Sequence, residues 1–202
     1  MESNELALTM SGSALEVEGS GKTEEQVLKR AIAGDRVAFD QIVVQHERRV
    51  LMTAWRLLGS KEDAQDAAQE VFLRLYRYLR HFDEKRPLLP WLYRMTVNVC
   101  HDQYRKRRQD DALAAEEVEG TTLTYDPGVE ITRSEQRRMI EAAIKTLTEK
   151  ERAAVVLRDI EGLTTRDVAG ILGSSQTTVR SQISMARVKI RKFVDRFEKR
   201  RL

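Results

Sequence analysis

The sequence of 202 residues predicts an all-α protein in which two small helical domains are joined by a flexible acidic linker. Three observations lead to this expectation. Apolar residues recur at three- and four-residue spacing through most of the chain, which is the period of a helix packed on one side. Ten glycines and three prolines are too few for the turns of a multi-stranded sheet. The charge also changes sign in blocks, and each change marks a boundary.

Composition limits the classes of function. Charged residues make up 33% of the chain and no apolar run reaches the roughly 20 residues that a membrane span needs, so we expect no membrane insertion. The N-terminal stretch is acidic where a secretory signal has a basic end and an apolar core, which predicts a cytoplasmic protein. Cys100 is the single cysteine and the three histidines are scattered, so we expect no disulfide, no metal site and no cofactor.

The charge blocks divide the chain into four segments. Residues 1–22, rich in Ser, Gly and Glu, are predicted to be a disordered tail. Residues 23–108 and 136–202 have net charges of +5 and +8 and helical periodicity, so each is predicted to form a domain. Residues 109–135 carry eight acidic residues and one arginine without helical periodicity, and they are predicted to be a flexible linker.

Four helices are predicted in the first basic segment. The first two lie at about 24–34 and 37–59, and glycines end both of them. Ser60 is a capping signal for a third helix, because it precedes an acidic residue by three positions. A polar loop at 83–86, next to prolines, separates the third helix from a fourth at about 91–108.

The third predicted helix carries an acidic face. Glu62, Asp66 and Glu70 lie four residues apart, and like charges at this spacing cost a few tenths of a kcal/mol per pair. Such a face is either an ordinary solvated surface or a docking surface for a basic partner helix. Composition alone favours the solvated surface.

Polar and basic residues form one stripe on the fourth predicted helix. Phosphates attract guanidinium groups and an amide can pair with a base edge, so this stripe suits a nucleic acid. The alternative is a cationic helix end that complements its own dipole. The stripe contains Asn98, Asp102, Arg105 and Arg108, with Lys106 beside them.

The second basic segment is predicted to contain a helix-turn-helix. Helices at about 134–146 and 149–160 precede Gly162, and a capped helix then runs from Thr164 to a glycine at 173. Ser174 or Ser175 caps the last helix. The second helix of such a motif enters the major groove of DNA by its N-terminal residues, so we expect DNA binding here.

Two kinds of DNA contact are expected along this last helix. Near its N-terminal end, Arg180, Ser181 and Gln182 would read base edges. Backbone phosphates are nearer to residues further along the helix, which are Arg187, Lys189 and Arg191. The outward residues expected at the DNA are Gln176, Thr177, Thr178, Arg180, Ser181, Gln182 and Arg187.

Three motifs together resemble the sigma-70 factors of bacterial RNA polymerase, specifically the two-domain extracytoplasmic-function (ECF) group. The segment DAQDAAQEVF at 63–72 is similar to the helix with which this family binds core polymerase. Residues 91–105 are similar to its helix for the promoter minus-ten element, and residues 161–181 to its helix-turn-helix for the minus-thirty-five element. The resemblance covers about residues 24–197, with the three motifs in the right order.

The resemblance implies a non-enzymatic subunit that binds core polymerase, recognises both promoter elements and helps to melt the DNA. Its implied partners are the clamp helices of the largest polymerase subunit, the polymerase flap, promoter DNA and an anti-sigma factor. The acidic linker is implied to occupy the active-site cleft and the RNA exit channel.

The resemblance also assigns site residues. Core binding is implied for Asp63, Asp66, Gln69, Glu70 and Phe72. Contacts with the minus-ten element, including a flipped base in the loop after Phe82, are implied for Phe82, Trp91, Asn98, Asp102, Arg105, Lys106 and Arg108. The outward residues of the last helix are implied to contact the minus-thirty-five element.

Two other functions fit parts of the sequence. A conventional repressor or activator would use only the C-terminal helix-turn-helix, dimerise and bind operator DNA alone. The acidic helix and the second basic helix argue against it. An enzyme acting on nucleic acid needs clustered carboxylates, or a nucleophile with a base. The carboxylates of residues 62–70 line one helix without a histidine or a second acidic cluster, which argues against a metal-dependent enzyme.

Overall fold

A computed structural model describes residues 24–114 and 133–199, which form eight α-helices and contain no strand. The all-α prediction is therefore confirmed. The helices are α1 at 24–32, α2 Arg36–Leu58, α3 Lys61–Tyr78, α4 Leu88–Ala114, α5 Arg133–Lys145, α6 Glu149–Val155, α7 Thr165–Leu172 and α8 Gln176–Lys199. A 3₁₀ turn, Leu79–His81, follows α3, and a π-helical segment, Val156–Ile160, follows α6. We call residues 24–114 the first module and residues 133–199 the second module.

Local capping signals begin and end these helices where the sequence predicts. The side-chain oxygens of Ser60, Thr164 and Ser175 each accept a hydrogen bond from the backbone N–H three residues further on, at 3.3, 3.1 and 3.0 Å. Gly59 and Gly173 end α2 and α7 with φ of +77° and +59°, a conformation that residues with a Cβ rarely adopt. Capping chemistry alone thus fixes these boundaries.

Other boundaries differ from the prediction. α4 begins at Leu88 rather than at residue 91, because Pro90 lies in the first turn, where a helix does not use the backbone N–H that proline lacks. α4 also continues to Ala114, inside the predicted linker, and α5 begins at Arg133, before the predicted start of the second domain. The predicted tail and the rest of the predicted linker, 115–132, lie outside the described residues.

Each module closes around one apolar face per helix. In the first module α2 packs along α3, and both pack against α4. In the second module α8 packs against α5, α6 and α7, so the helix-turn-helix of α7 and α8 rests on α6. On α8 the apolar residues Val179, Ile183 and Ala186 recur at helical spacing, and all three are buried. These packed faces leave the polar stripes of α4 and α8 on the surface.

The two modules also pack against each other. α4 contacts α7, and α2 contacts both α6 and the π-helical segment. Apolar residues of both modules belong to one continuous buried cluster, which includes Leu92 and Val97 of the first module and Leu157 and Val168 of the second. The sequence predicted two domains on a linker, and this direct packing was not predicted.

Within the described residues no helix is both long enough and apolar enough to cross a membrane.

Candidate nucleic-acid and polymerase interfaces

The acidic face of α3 is present, but two of its carboxylates are paired within the chain. Arg107 of α4 donates a hydrogen bond to Asp63, whose side chain is only 17% exposed. The Nε of Arg74 donates to Glu70 at 2.7 Å. Asp66 is exposed. Cations of the same chain therefore reduce the repulsion that the spacing predicts, and Glu62 and Asp66 are the carboxylates of this face that are exposed.

The other two residues predicted at this face differ in exposure. Gln69 is exposed beside Asp66, whereas Phe72 is half-buried and packs against the core. The surface that a partner could meet is thus centred on Asp66 and Gln69, with Phe72 supporting it from below.

α4 exposes the predicted polar stripe and buries its other faces. Asn98, Asp102 and Arg105 are exposed, while Val97 and Val99 are buried. Asp102 accepts a hydrogen bond from Arg105 at 3.1 Å, so this carboxylate already offsets part of the positive charge of the stripe. Lys106 is exposed, and the side chain of Arg108 lies outside the described part.

Phe82 and Trp91 form one aromatic wall. Their ring centroids are 4.7 Å apart with the planes tilted by 33°, and both side chains are half-buried against the core. The loop 83–87 that begins beside this wall is exposed. The two aromatic residues therefore support the loop together.

The first turns of α8 present most of the predicted DNA-reading residues to solvent. Gln182 differs, since it is half-buried and its Oε1 is enclosed without a hydrogen-bond partner among the described residues. Arg187 is exposed and donates to both carboxylate oxygens of Asp159, at 2.8 and 2.7 Å. The exposed reading residues are Gln176, Thr177, Thr178, Arg180 and Ser181.

A basic groove continues along α8. It has a volume of about 700 Å³ and also contains Asp195. Clustered cations of this kind attract the phosphates of a nucleic-acid backbone, and the salt dependence of such binding grows with the number of phosphates neutralised. The cationic residues that line it are Arg158, Arg180, Arg187, Arg191 and Lys192.

The expectation that Lys189 contacts phosphate stays a prediction, and the structure gives this side chain a partner within the chain. Its Nζ donates to Glu151 at 2.8 Å, and Glu151 is only 5% exposed. Burial by itself raises the pKa of Glu151, but the hydrogen bonds from Lys189 and Thr148 outweigh it and hold the pKa below its ordinary value. Lys189 therefore links α8 to α6 within the second module.

A polar cluster at the junction of the modules was missed by the sequence reasoning. Glu161, in the turn before α7, accepts hydrogen bonds from Thr53 at 3.0 Å, Arg56 at 2.9 Å and Tyr93 at 2.6 Å. Burial, together with the bond to Glu161, raises the pKa of Tyr93 well above its usual range. We call these four residues the Glu161 cluster. Thr53 could have pointed to this cluster, since it is a polar residue on the buried stripe of α2.

Comparisons with known proteins match the same two modules. A family model described as Sigma-70 region 2 matches residues 42–109, and one described as Sigma-70, region 4, matches residues 137–190. This chain belongs to the sigma-70 family. The first match runs from within α2 through α3 into α4, and the second runs from within α5 into α8 and includes the helix-turn-helix, so the predicted resemblance is confirmed.

Relatives place this sigma factor in the ECF group. The RNA polymerase sigma-H factor of Pseudomonas aeruginosa is 34% identical over 84% of this chain and 92% of its own length. The ECF RNA polymerase sigma factor SigW of Bacillus subtilis is 32% identical over 82% of this chain and 93% of its own. The predicted function, an RNA polymerase sigma factor of the ECF type, is confirmed at this level.

A solved structure shares the fold. The sigma factor RpoE of Bartonella quintana, in complex with the anti-sigma factor NepR, superposes with a TM-score of 0.65 at 21% identity, covering 78% of this chain and 96% of that chain.

Proposed function

We propose that this ECF sigma factor binds core polymerase through α3, recognises the minus-ten element with α4 and the minus-thirty-five element with α8, and promotes melting of the promoter. The observation that carries the proposal is the exposure of one polar and cationic stripe on α4 and another on α8, while the apolar faces of both helices are buried. Sigma factors are in general not enzymes, and we assign no catalytic residue.

On α4 the proposed contacts divide by chemistry. Asn98 offers an amide donor and acceptor to a base edge, while Arg105 and Lys106 are suited to phosphates. Phe82 and Trp91 lie beside the loop 83–87, where an unpaired base could stack on their rings. Stacking on an aromatic ring contributes about 1 to 3 kcal/mol per base. This contribution would offset much of the cost of unstacking one base.

On α8 the exposed residues at the N-terminal end are proposed to read the major groove. Arg180 stands where this end meets the basic groove, and Arg191 lies further along the groove. Arg187 must share its guanidinium with Asp159 or leave that carboxylate when it meets phosphate. Its contribution to affinity is therefore smaller than its charge suggests.

The protein partners are proposed from the surface of α3 and from the family. The exposed pair Asp66 and Gln69 suits the basic clamp helices of the largest polymerase subunit, and the second module is proposed to meet the flap. The shared fold with a sigma factor solved with an anti-sigma factor supports an anti-sigma partner here as well. Such partners would place the chain in the cytoplasm. The path of the linker through the RNA exit channel concerns residues outside the described part and stays a prediction from the family.

Core binding can be tested by one charge reversal and a matched control. Asp66→Lys should lower the affinity for core polymerase by at least about tenfold, because the new cation would face a basic partner. Glu47→Lys makes the same charge change at an exposed site on α2 and should leave the affinity unchanged. Co-purification with core, with circular dichroism as the folding control, measures both. A folded Asp66→Lys variant that binds core normally would show that this face is merely solvated.

Promoter recognition is tested by run-off transcription from a promoter library with core polymerase. We expect transcripts that depend on both core and this chain, from templates that share two sequence elements. A gel shift without core polymerase tests the alternative function, a conventional repressor or activator. Tight, sequence-specific binding of the free chain as a dimer, unaffected by core, would support a conventional repressor or activator instead.

A further inference from the structure

Glu161 belongs to the second module, but its side chain accepts hydrogen bonds from three residues of the first. Thr53 and Arg56 of α2 donate to one carboxylate oxygen, and Tyr93 of α4 donates to the other. The side chain is 9% exposed, so these three donors replace nearly all of its contact with water. The charge of Glu161 is therefore compensated across the boundary between the modules.

Arg152 makes a second polar link across the same boundary. Its Nη1 donates at 2.7 Å to the carbonyl of Leu57, in the last turn of α2, where carbonyls have no helical partner. Its Nη2 donates to the carbonyls of Lys145 and Leu147 in its own module, at 2.9 and 3.1 Å. Two independent links thus hold the C-terminal part of α2 to the second module.

These links are of a kind that can be released. When the modules separate, water replaces each hydrogen bond, so Glu161 is hydrated rather than left unpaired in an apolar interior. The net gain from each bond is therefore modest compared with its strength inside the protein. Together with the apolar contacts of the boundary, such bonds can keep two modules packed and still be exchanged when a partner competes.

The packed arrangement is too small for both proposed DNA contacts at once. Elements centred about 10 and 35 base pairs upstream of a start site are about 85 Å apart along B-form DNA, at 3.4 Å per base pair. A compact chain of this length has a radius of gyration of about 16 Å and is about 40 Å across. Residues 115–132 could span about 60 Å when fully extended, enough for the modules to reach both elements once they separate.

We infer that the Glu161 cluster is an intramolecular latch, which keeps the free chain closed without any partner and must open before both promoter elements are bound. The closed state follows from the contacts alone. The requirement to open rests on the proposed function. Core polymerase would then select the open form, and its apparent affinity would be reduced by the small fraction of open chain.

Single-molecule energy transfer in the full chain tests the latch directly. Dyes on Val44→Cys and Arg166→Cys report the separation of the modules, because both sites are exposed and outside the proposed interfaces. Cys100 stays unlabelled, because it is buried and burial raises the pKa of its thiol to about 12. We expect the free chain to give one short distance, and core polymerase to convert it to a long one.

Two variants on opposite sides of the boundary should open the free chain. Glu161→Gln and, independently, Arg56→Ala should each raise the open fraction by at least about tenfold. Asp159→Asn is the control, since it breaks an ion pair inside the second module. Circular dichroism checks that each variant is folded, and Arg56→Ala carries the test if Glu161→Gln does not fold. The double reversal of Arg56→Glu with Glu161→Arg should restore the short distance that either reversal alone loses.

Three results would overturn the latch. They are a long distance in the free wild-type chain, an unchanged short distance in both opened variants, and a short distance that persists in an actively transcribing complex. The proposed function fails separately. If the variants open as expected but no template is transcribed with core, the closed state held by the Glu161 cluster stands, while the promoter assignments and the requirement to open fall.

Discussion

Glu151 is a buried carboxylate that keeps its charge because two neighbours supply hydrogen bonds. Lys189 donates at 2.8 Å, and the backbone N–H of Thr148 donates at 3.0 Å as part of a capping box. A buried charge that loses its partner is strongly destabilising, since the protein interior cannot replace water. Lys189, which the sequence assigns to a DNA contact, therefore also stabilises the fold.

Removing Lys189 should lower stability and leave the salt dependence of DNA binding unchanged. We expect Lys189→Ala to reduce the free energy of unfolding by about 1 kcal/mol, since Lys189 is 40% exposed and water screens part of the attraction. Lys192→Ala, at an exposed position on the same helix, should change it by less than about 0.5 kcal/mol. Urea denaturation with unchanged slope measures both. Equal midpoints for the two variants would argue against the assignment.

The pH dependence of stability gives a second readout for the same pair. The pKa of Glu151 in the folded chain lies below the ordinary value of 4.5, so its stabilising charge is present above about pH 4.5 and is lost as the pH falls through the folded pKa. The Lys189→Ala variant should lose less stability over that range than the wild type. Parallel curves would contradict this.

At the scale of single helices, α8 combines a reading end with a phosphate-binding side. We expect Arg180→Ala to change the base preference at one or two positions of the upstream element, at a cost of about 1 to 3 kcal/mol. Arg191→Ala should weaken all sequences alike and lower the salt slope by about one unit. Transcription by reconstituted holoenzyme on single-base promoter variants, at several salt concentrations, measures both. Identical sequence profiles for the two variants would mean that α8 does not read bases.

The sequence predicts well what depends on local period and capping. Val179 and Ile183 are buried where the helical period places them, and Ser60 and Ser175 cap the helices that they precede. The hydrogen bond from Lys189 to Glu151 could not be predicted, because the two residues lie 38 positions apart on different helices. The pairing of Asp63 with Arg107 escaped prediction for the same reason, because Arg107 lies 44 residues away on α4. The pair of Glu70 and Arg74, four residues apart on α3, could have been predicted from the sequence.

At the scale of the whole molecule, the shared core predicts how the chain unfolds. Both tryptophans lie in the first module, so tryptophan fluorescence reports that module alone, while far-ultraviolet circular dichroism reports both. In the wild type the two probes should give coincident urea transitions, because the modules stabilise each other. In Glu161→Gln the transitions should separate. Asp159→Asn should keep them coincident, and separate transitions in the wild type would show that the modules unfold independently.

The family and the two domains are visible in the sequence because each lies within a continuous segment. The contact between the domains is not, since Glu161 lies 108, 105 and 68 residues from Thr53, Arg56 and Tyr93. In the sequence Glu161 reads as part of the helix-turn-helix motif alone. Only the folded chain shows that the same side chain is shared with the first module.

The narrow exposed stripe of α4 has a consequence for how this chain can evolve or be engineered. α4 is packed by α2, α3 and α7, so most substitutions along it would disturb helices from both modules at once. Residues such as Asn98 and Arg105 are among the few positions where new promoter preferences could arise without loss of folded protein. The first two turns of α8 are far more permissive, because five reading residues there are exposed. Variant libraries that change α8 should therefore retain more folded protein than libraries that change α4. Among related chains, the preference for the upstream promoter element should diverge first.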